Sequence, residues 1–178
     1  MVFAAGLFVF LFSSCYKTDP DKISDDFVWS PDISLPIGSV QPEFNESVGQ
    51  LLYGEIDFSL SDLIEEREQI DSLMIRLNIK NEFPTIVSII VYYQYPDPQN
   101  ILIDETDIAP GKIDDEGKST IPRKKQSDNW LNATRIDGLF ASDKLIIRAR
   151  LSDTNFDKTK YKIEVQLALQ AHLTLTNE

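Results

Sequence analysis

Four segments alternate apolar and polar residues with a period of two, seven or eight strands in all are expected at turn-separated spacing, and one segment carries helix signals. Together these predict an all-β chain: an antiparallel β-sandwich, immunoglobulin-like in architecture, with one short helix. A half-buried strand needs a core against one face, and two such sheets supply it for each other. The sandwich domain is expected over residues 28–178, behind a signal peptide at 1–14 and a flexible tether at 15–27. A stretch of roughly 150 residues is long enough for one domain with a real core.

The leader comes first. Residues 1–16 carry no charged side chain, and residues 2–12 (VFAAGLFVFLF) are apolar or small throughout. A helix of that length measures about 16 Å at 1.5 Å per residue. That is roughly half the hydrocarbon thickness, so a transmembrane span is not expected. The length suits the apolar region of a secretory signal peptide. Ser13 and Ser14 follow, and then Cys15, the only cysteine.

The stretch Leu11-Phe12-Ser13-Ser14-Cys15 resembles a bacterial lipobox. The resemblance implies cleavage between Ser14 and Cys15 and diacylation of the Cys15 thiol. It also implies an outer-membrane lipoprotein, held by its acyl chains and exposed at the cell surface. Phe12 stands where Leu is commoner, and no Lys or Arg precedes the apolar run; a start upstream would supply the basic residues. Each buried CH2 of an acyl chain contributes about 0.8 kcal/mol, so two or three chains anchor a protein stably. Residues 16–26 (YKTDPDKISDD) are charged, interrupted by Pro20 and without apolar periodicity. Such a segment cannot bury enough surface to offset its ordering entropy, which makes it a tether. Lys17 with Asp19 and Asp21 resembles the export tethers of Bacteroidota surface lipoproteins.

Within the domain, short strands are expected at 33–35 and 55–60. The helix is expected at 62–69, with Ser59 or Ser61 capping and Asp62, Glu65 and Glu66 in its first turns. Leu63, Ile64 and Ile70 would then touch the sheet. Residues 73–79 alternate cleanly: Leu73, Ile75, Leu77 and Ile79 face one way, Met74, Arg76 and Asn78 the other. Residues 81–84 (NEFP) predict a hairpin connection, with Pro84 placed where its missing N–H does least harm. Residues 85–95 (TIVSIIVYYQY) are apolar on both faces and predict a central strand. Turns are expected at 97–100 and 114–117, with short strands at 101–104 and 118–121. Residues 129–137 fit either a loop or a short helical turn. Residues 145–151 alternate again. So do residues 161–175, where Tyr161, Ile163, Val165, Leu167, Leu169, Ala171, Leu173 and Leu175 share one face. One strand of that length would span about 50 Å, which predicts a bulge or bend near 168–171.

The series Trp29-x-Pro31-x-Ile33-x-Leu35-Pro36-Ile37-Gly38, Phe58-x-Leu60-x-Asp62-Leu63-Ile64 and Leu77-x-Ile79-x-Asn81-x-Phe83-Pro84 resembles Bacteroidota lipoproteins with β-sandwich domains. It covers residues 27–95. Its motifs describe turns and core positions, so it implies an address and a fold but no activity.

Composition excludes several functions. Lys and Arg number 17, Asp and Glu 29, for a net charge of −12. That balance gives no footprint for nucleic acid. One Cys forms no internal disulfide, and one Cys with one His builds no Cys/His zinc site. No catalytic residue, metal ligand or cofactor is nominated. His172 falls on the polar face of the last long strand, where a solvated residue is the simpler account. The carboxylates Asp104, Glu105 and Asp107, and again Asp114, Asp115 and Glu116, lack the alternate spacing of a calcium loop. Arg123, Lys124 and Lys125 form a basic spot in a loop. The aromatic residues Trp130, Tyr92 and Tyr95 are the candidate ligand-binding residues, because an exposed ring can stack on a sugar or anchor a protein contact.

The expected function is therefore a non-enzymatic, lipid-anchored envelope module. It would attach to the membrane through Cys15 and bind a glycan or another envelope protein. Two alternatives are a structural subunit joined by strand addition through the long last strand, and a carboxylate-dependent hydrolase.

Overall fold

The computed structural model describes residues 28–44, 51–94 and 100–176. The signal peptide, Ser14, Cys15, the tether and Tyr95 lie outside the described residues. Two units are distinguished. In the smaller, β1 (Val28–Trp29) pairs antiparallel with β13 (Leu175–Thr176), Val28 opposite Thr176 and Trp29 opposite Leu175.

The larger unit, residues 30–174, is an antiparallel β-sandwich. Its strands in chain order are β2 (Asp32–Val40), β3 (Glu43–Phe44), β4 (Leu51–Asp57), β5 (Ile70–Asn81), β6 (Val87–Gln94) and β7 (Asn100–Ile108). There follow β8 (Lys112–Ile113), β9 (Ser119–Ile121), β10 (Arg123–Leu131), α1 (Ala133–Phe140), β11 (Lys144–Leu151) and β12 (Ile163–Leu173). One sheet has four strands in the order β10-β5-β12-β2, the other five in the order β3-β4-β11-β6-β7.

The period-two pattern decides which face is core. Leu73, Ile75, Leu77 and Ile79 of β5 and Ile163, Val165, Leu167 and Leu169 of β12 are buried, as are Leu145, Ile147, Ala149 and Leu151 of β11. They form one cluster with Val87, Ile89 and Val91 of β6. Each fully buried Leu, Ile or Val contributes about 1.5–3 kcal/mol. An exposed ion pair contributes about 0–1 kcal/mol, so the alternation rather than the charges holds the sandwich.

Four expectations are corrected. First, residues 62–69 are not a helix. One turn closes where Leu63 and Ile64 N–H donate to the Leu60 carbonyl, and Glu66 is then extended (φ −125, ψ 133). Only a 3-10 turn, Arg67–Gln69, follows. So short a segment cannot offset the cost of helix nucleation. Ile64 and Ile70 are buried as expected, while Leu63 is 51% exposed. The α-helix lies instead at Ala133–Phe140, in the stretch that fitted loop or helical turn. Asn132 caps it by accepting from Arg135 N–H at 3.0 Å.

Second, residues 81–84 do not form a hairpin. β5 and β6 belong to different sheets, so the segment carries the chain across the core. Asn81 holds the crossing. Its buried amide donates to the Thr85 and Ala109 carbonyls (3.1 and 3.0 Å) and accepts from Phe83 N–H (2.9 Å). Phe83 turns inward onto Phe156 and Tyr161, with centroids 6.0 and 5.9 Å away.

Third, the strand at 85–95 is interior, but β11 is the central strand of its sheet. Fourth, β12 carries no bulge of its own. The irregularity opposite Leu167 and Ala168 is in β2, where Ile37 is the extra residue between Gly38 and Pro36. A second lies in β5, where Asp71 is extra opposite His172 and Leu173. Pro36 sits at the bulge of an edge strand, where its missing N–H is tolerated.

Candidate functional site

The outer face of the four-stranded sheet is read from its register. On edge strand β10, Trp130 lies opposite Met74, and Met74 opposite Gln170. The next row is Asp128, Arg76 and Ala168; the next is Gln126, Asn78 and Gln166; the last is Lys124, Lys80 and Glu164. Trp130 is 61% exposed, while Met74 beside it is 4% exposed. The ring therefore stands at one end of the face over an apolar support.

Below it, Arg76 grips Asp128 with two parallel bonds, Nε to Oδ1 at 2.7 Å and Nη2 to Oδ2 at 2.8 Å. The guanidinium holds the Asp128 carboxyl below the usual carboxylate range, and Asp128 in turn raises Arg76. This fork fixes the floor between the tryptophan and a depression of about 430 Å³ lined by Asn78, Lys80, Lys124, Gln126, Glu164 and Gln166. Amides donate and accept, ammonium groups donate, and a carboxylate accepts. The set suits a ligand with many hydroxyl groups.

The three aromatic candidates do not come together. Trp130 is on the four-stranded sheet. Tyr92 is on the outer face of the five-stranded sheet, 4% exposed, its hydroxyl without a hydrogen-bond partner. Tyr95 lies outside the described residues, as do Ser14 and Cys15.

Around Tyr92 stands a group that sequence reasoning missed. Tyr92 lies opposite Ile146, and Arg148, two residues on, places its guanidinium 4.9 Å over the Tyr92 ring. Tyr53 lies opposite Arg148 on β4. The Tyr53 hydroxyl donates to Glu55 Oε1, and Lys144 Nζ donates to Glu55 Oε2 at 2.7 Å. Donation to the carboxylate pushes the Tyr53 phenol up to about 12, with burial adding to the effect. Lys144 above all, and then Tyr53, lower Glu55. Burial raises Tyr92, against the pull of Arg148. Leu51, Leu52, Tyr53 and Arg148 line a depression of about 400 Å³. The missed signal was the alternation of Leu52, Gly54 and Ile56: a glycine in the core row hides the strand and so the direction of Tyr53. Gly54 is needed there, because a Cβ would meet Val40 at 2.7 Å.

The remaining polar candidates have structural roles. His172 Nδ1 is 2.8 Å from Asp32 Oδ1, and Nε2 is 3.9 Å from Asp71 Oδ2. Asp114 Oδ1 accepts from Glu116 and Lys118 N–H and so builds the β8–β9 turn, with Gly117 at φ 75. Asp107 accepts from Ser88, while Asp104 lies opposite Val91 with Oδ2 buried and unpartnered. Of the basic spot, Lys124 and Lys125 belong to the depression. Lys125 also reaches the Asp107 carbonyl at 2.8 Å, joining edge β10 to edge β7.

No family model and no curated protein matches the sequence. Several solved structures are weakly similar. A candidate secreted protein from Parabacteroides distasonis superposes with a TM-score of 0.49 at 12% identity, over 68% of this chain and 37% of that one. The Tobacco streak virus coat protein gives 0.39 at 10% identity, over 79% and 85%. The infectious bursal disease virus VP2 subviral particle gives 0.37 at 12% identity, over 85% and 34%. This chain thus spans little more than a third of the Parabacteroides protein. Neither fold nor function is taken from these similarities.

Proposed function

We propose that the chain is a non-enzymatic, lipid-anchored module of the bacterial outer membrane that binds a glycan on the outer face of its four-stranded sheet. The observation that carries the binding role is Trp130, a largely exposed ring at the end of a sheet face whose depression is lined by amides, ammonium groups and a carboxylate. A ring offers its face to the apolar side of a sugar, and the polar rows meet the hydroxyls. The lipobox-like sequence ending at Cys15 supports the anchor. His172, held between Asp32 and Asp71, is given a positioning task rather than a catalytic one.

The strand-addition alternative loses the element it relied on. β12 is hydrogen-bonded to β5 on one side and to β2 on the other, so it offers no free edge.

Two measurements test the proposal. Cys15→Ala is expected to move the protein from the membrane to the soluble fraction; continued membrane association rejects the anchor. Binding to an array of envelope and dietary polysaccharides is expected to fall at least tenfold in Trp130→Ala. Retention of full binding in that variant rejects the assigned face.

A further inference from the structure

The five-stranded sheet has an outer face of its own, and its centre is cationic. β11 turns Lys144, Ile146, Arg148 and Arg150 outward, and β11 is the middle strand. In a chain of net charge −12, cations beside carboxylates pair with them: Arg67 with Asp137, Arg76 with Asp128, Lys144 with Glu55. Arg148 and Arg150 form no ion pair among the described residues. Two acids on this face, Glu55 and Asp107, are engaged elsewhere. Both oxygens of Glu55 are taken, by Tyr53 and Lys144, and Asp107 accepts from Ser88. Glu105, across β6, and Glu43, across β4, stand two strands from Arg148 in the same row, and neither forms an ion pair with it among the described residues.

We propose that the depression between β4 and β11 binds a small organic anion, with its carboxylate or phosphate on Arg148 and its body on Tyr53 and Leu51. Two observations carry this beyond an unpaired charge. Arg148 does not float: its guanidinium is held over the Tyr92 ring at 4.9 Å, so little freedom remains to be lost on binding. The depression, about 400 Å³, has the size of a small-ligand site and is walled by the half-exposed Tyr53 ring. Arg150 lies two residues along the same face, about 7 Å away by strand geometry, and adds a second positive charge. The overall negative charge repels anions only at long range. Beyond about 8 Å it is screened at physiological salt, so the local guanidinium decides. A guanidinium fork meets two oxygens of a carboxylate or a phosphate in two parallel bonds.

The site differs in face and chemistry from the tryptophan platform and stands independently of it. Titration of the full-length protein with glucuronic acid, glucose 6-phosphate and glucose, followed by amide NMR shifts, tests it. One or both anions are expected to saturate with shifts in β4 and β11, and glucose to leave those strands unmoved. A response to glucuronic acid alone identifies the ligand group as carboxylate, and to glucose 6-phosphate alone as phosphate. Arg148→Gln is expected to weaken binding at least tenfold with unchanged melting temperature. Arg148→Lys, which keeps charge but loses the fork, should weaken it less. Failure of both anions to saturate, equal binding of glucose, undiminished binding in Arg148→Gln, or loss in Trp130→Ala instead, would each overturn the proposal.

Discussion

A methyl group on Gly138 would lie 2.3 Å from the hydroxyl oxygen of Tyr93. The phenol runs from β6 under α1, is fully buried, and donates to the Arg135 carbonyl at 3.1 Å. Helix and sheet are therefore locked at one point, where the helix has no side chain and the strand has its largest.

Gly138→Ala sets two effects against each other. Intrinsic helix propensity favours alanine by about 1 kcal/mol. The clash with a fully buried ring opposes it, and overpacking costs about 1–3 kcal/mol. The clash is expected to win, with a net loss of about 1–2 kcal/mol by urea denaturation. Tyr93→Phe removes the atom at 2.3 Å, so the double variant is expected to be less destabilised than the sum of the singles. A strictly additive cycle rejects the contact.

Asn81→Leu tests the crossing between sheets. The substitution removes one acceptor and two donors, leaving the Phe83 N–H and the Thr85 and Ala109 carbonyls without that partner. A buried polar group that loses such a partner costs about 1–3 kcal/mol. A loss of at least about 3 kcal/mol is expected in chemical denaturation. A loss below about 1 kcal/mol would mean that the amide is replaceable by water.

Trp130→Ala separates binding from stability. The side chain is on the surface of an edge strand and should change unfolding free energy by no more than about 1 kcal/mol. Glycan binding should fall by a much larger factor. If stability and binding fall together, the ring is structural cover for Met74 and not a platform.

Tyr53 gives the pH dependence. Its phenol is shifted from 10.0 to about 12, first by donation to Glu55. A raised folded-state pKa contributes stability that is fully present below pH 10 and is lost as the pH rises through 12. Tyrosinate absorbance of the folded protein should therefore show a late phase, with circular dichroism reporting the fold. Glu55→Gln should move that phase toward 10. One transition near 10 for every tyrosine would show that the Tyr53–Glu55 bond does not persist in solution.

Most of the sheet was legible because burial in a sandwich follows side-chain alternation, a local property. Leu73 to Ile79 and Ile163 to Leu173 needed nothing else. Pairing was less legible. Asn81 looks like a hairpin residue in sequence, and only its bond to the Ala109 carbonyl, far along the chain, reveals a crossing. The helix was misplaced for a related reason. Acidic residues at 62–66 signal a helix start, but Ile64 and Ile70 are drawn to the core on either side of an extended Glu66. At the candidate sites, Trp130 was found because polar neighbours surround it. Arg148 was seen only as the polar half of an alternation; that it lacks an acid partner depends on Glu55 and Asp107 being occupied across strands.

The pairing of β2 with β12 has a temporal consequence. Asp32 and His172, in contact across these strands, are 140 positions apart in sequence. At ribosomal rates of 5–20 residues per second, β2 waits roughly 7–28 s for the strand that completes it. Through that interval the four-stranded sheet cannot close, because β12 supplies a neighbour to both β5 and β2. The four-stranded sheet is thus kept open until β12 is made, and only then can the sandwich close as a unit.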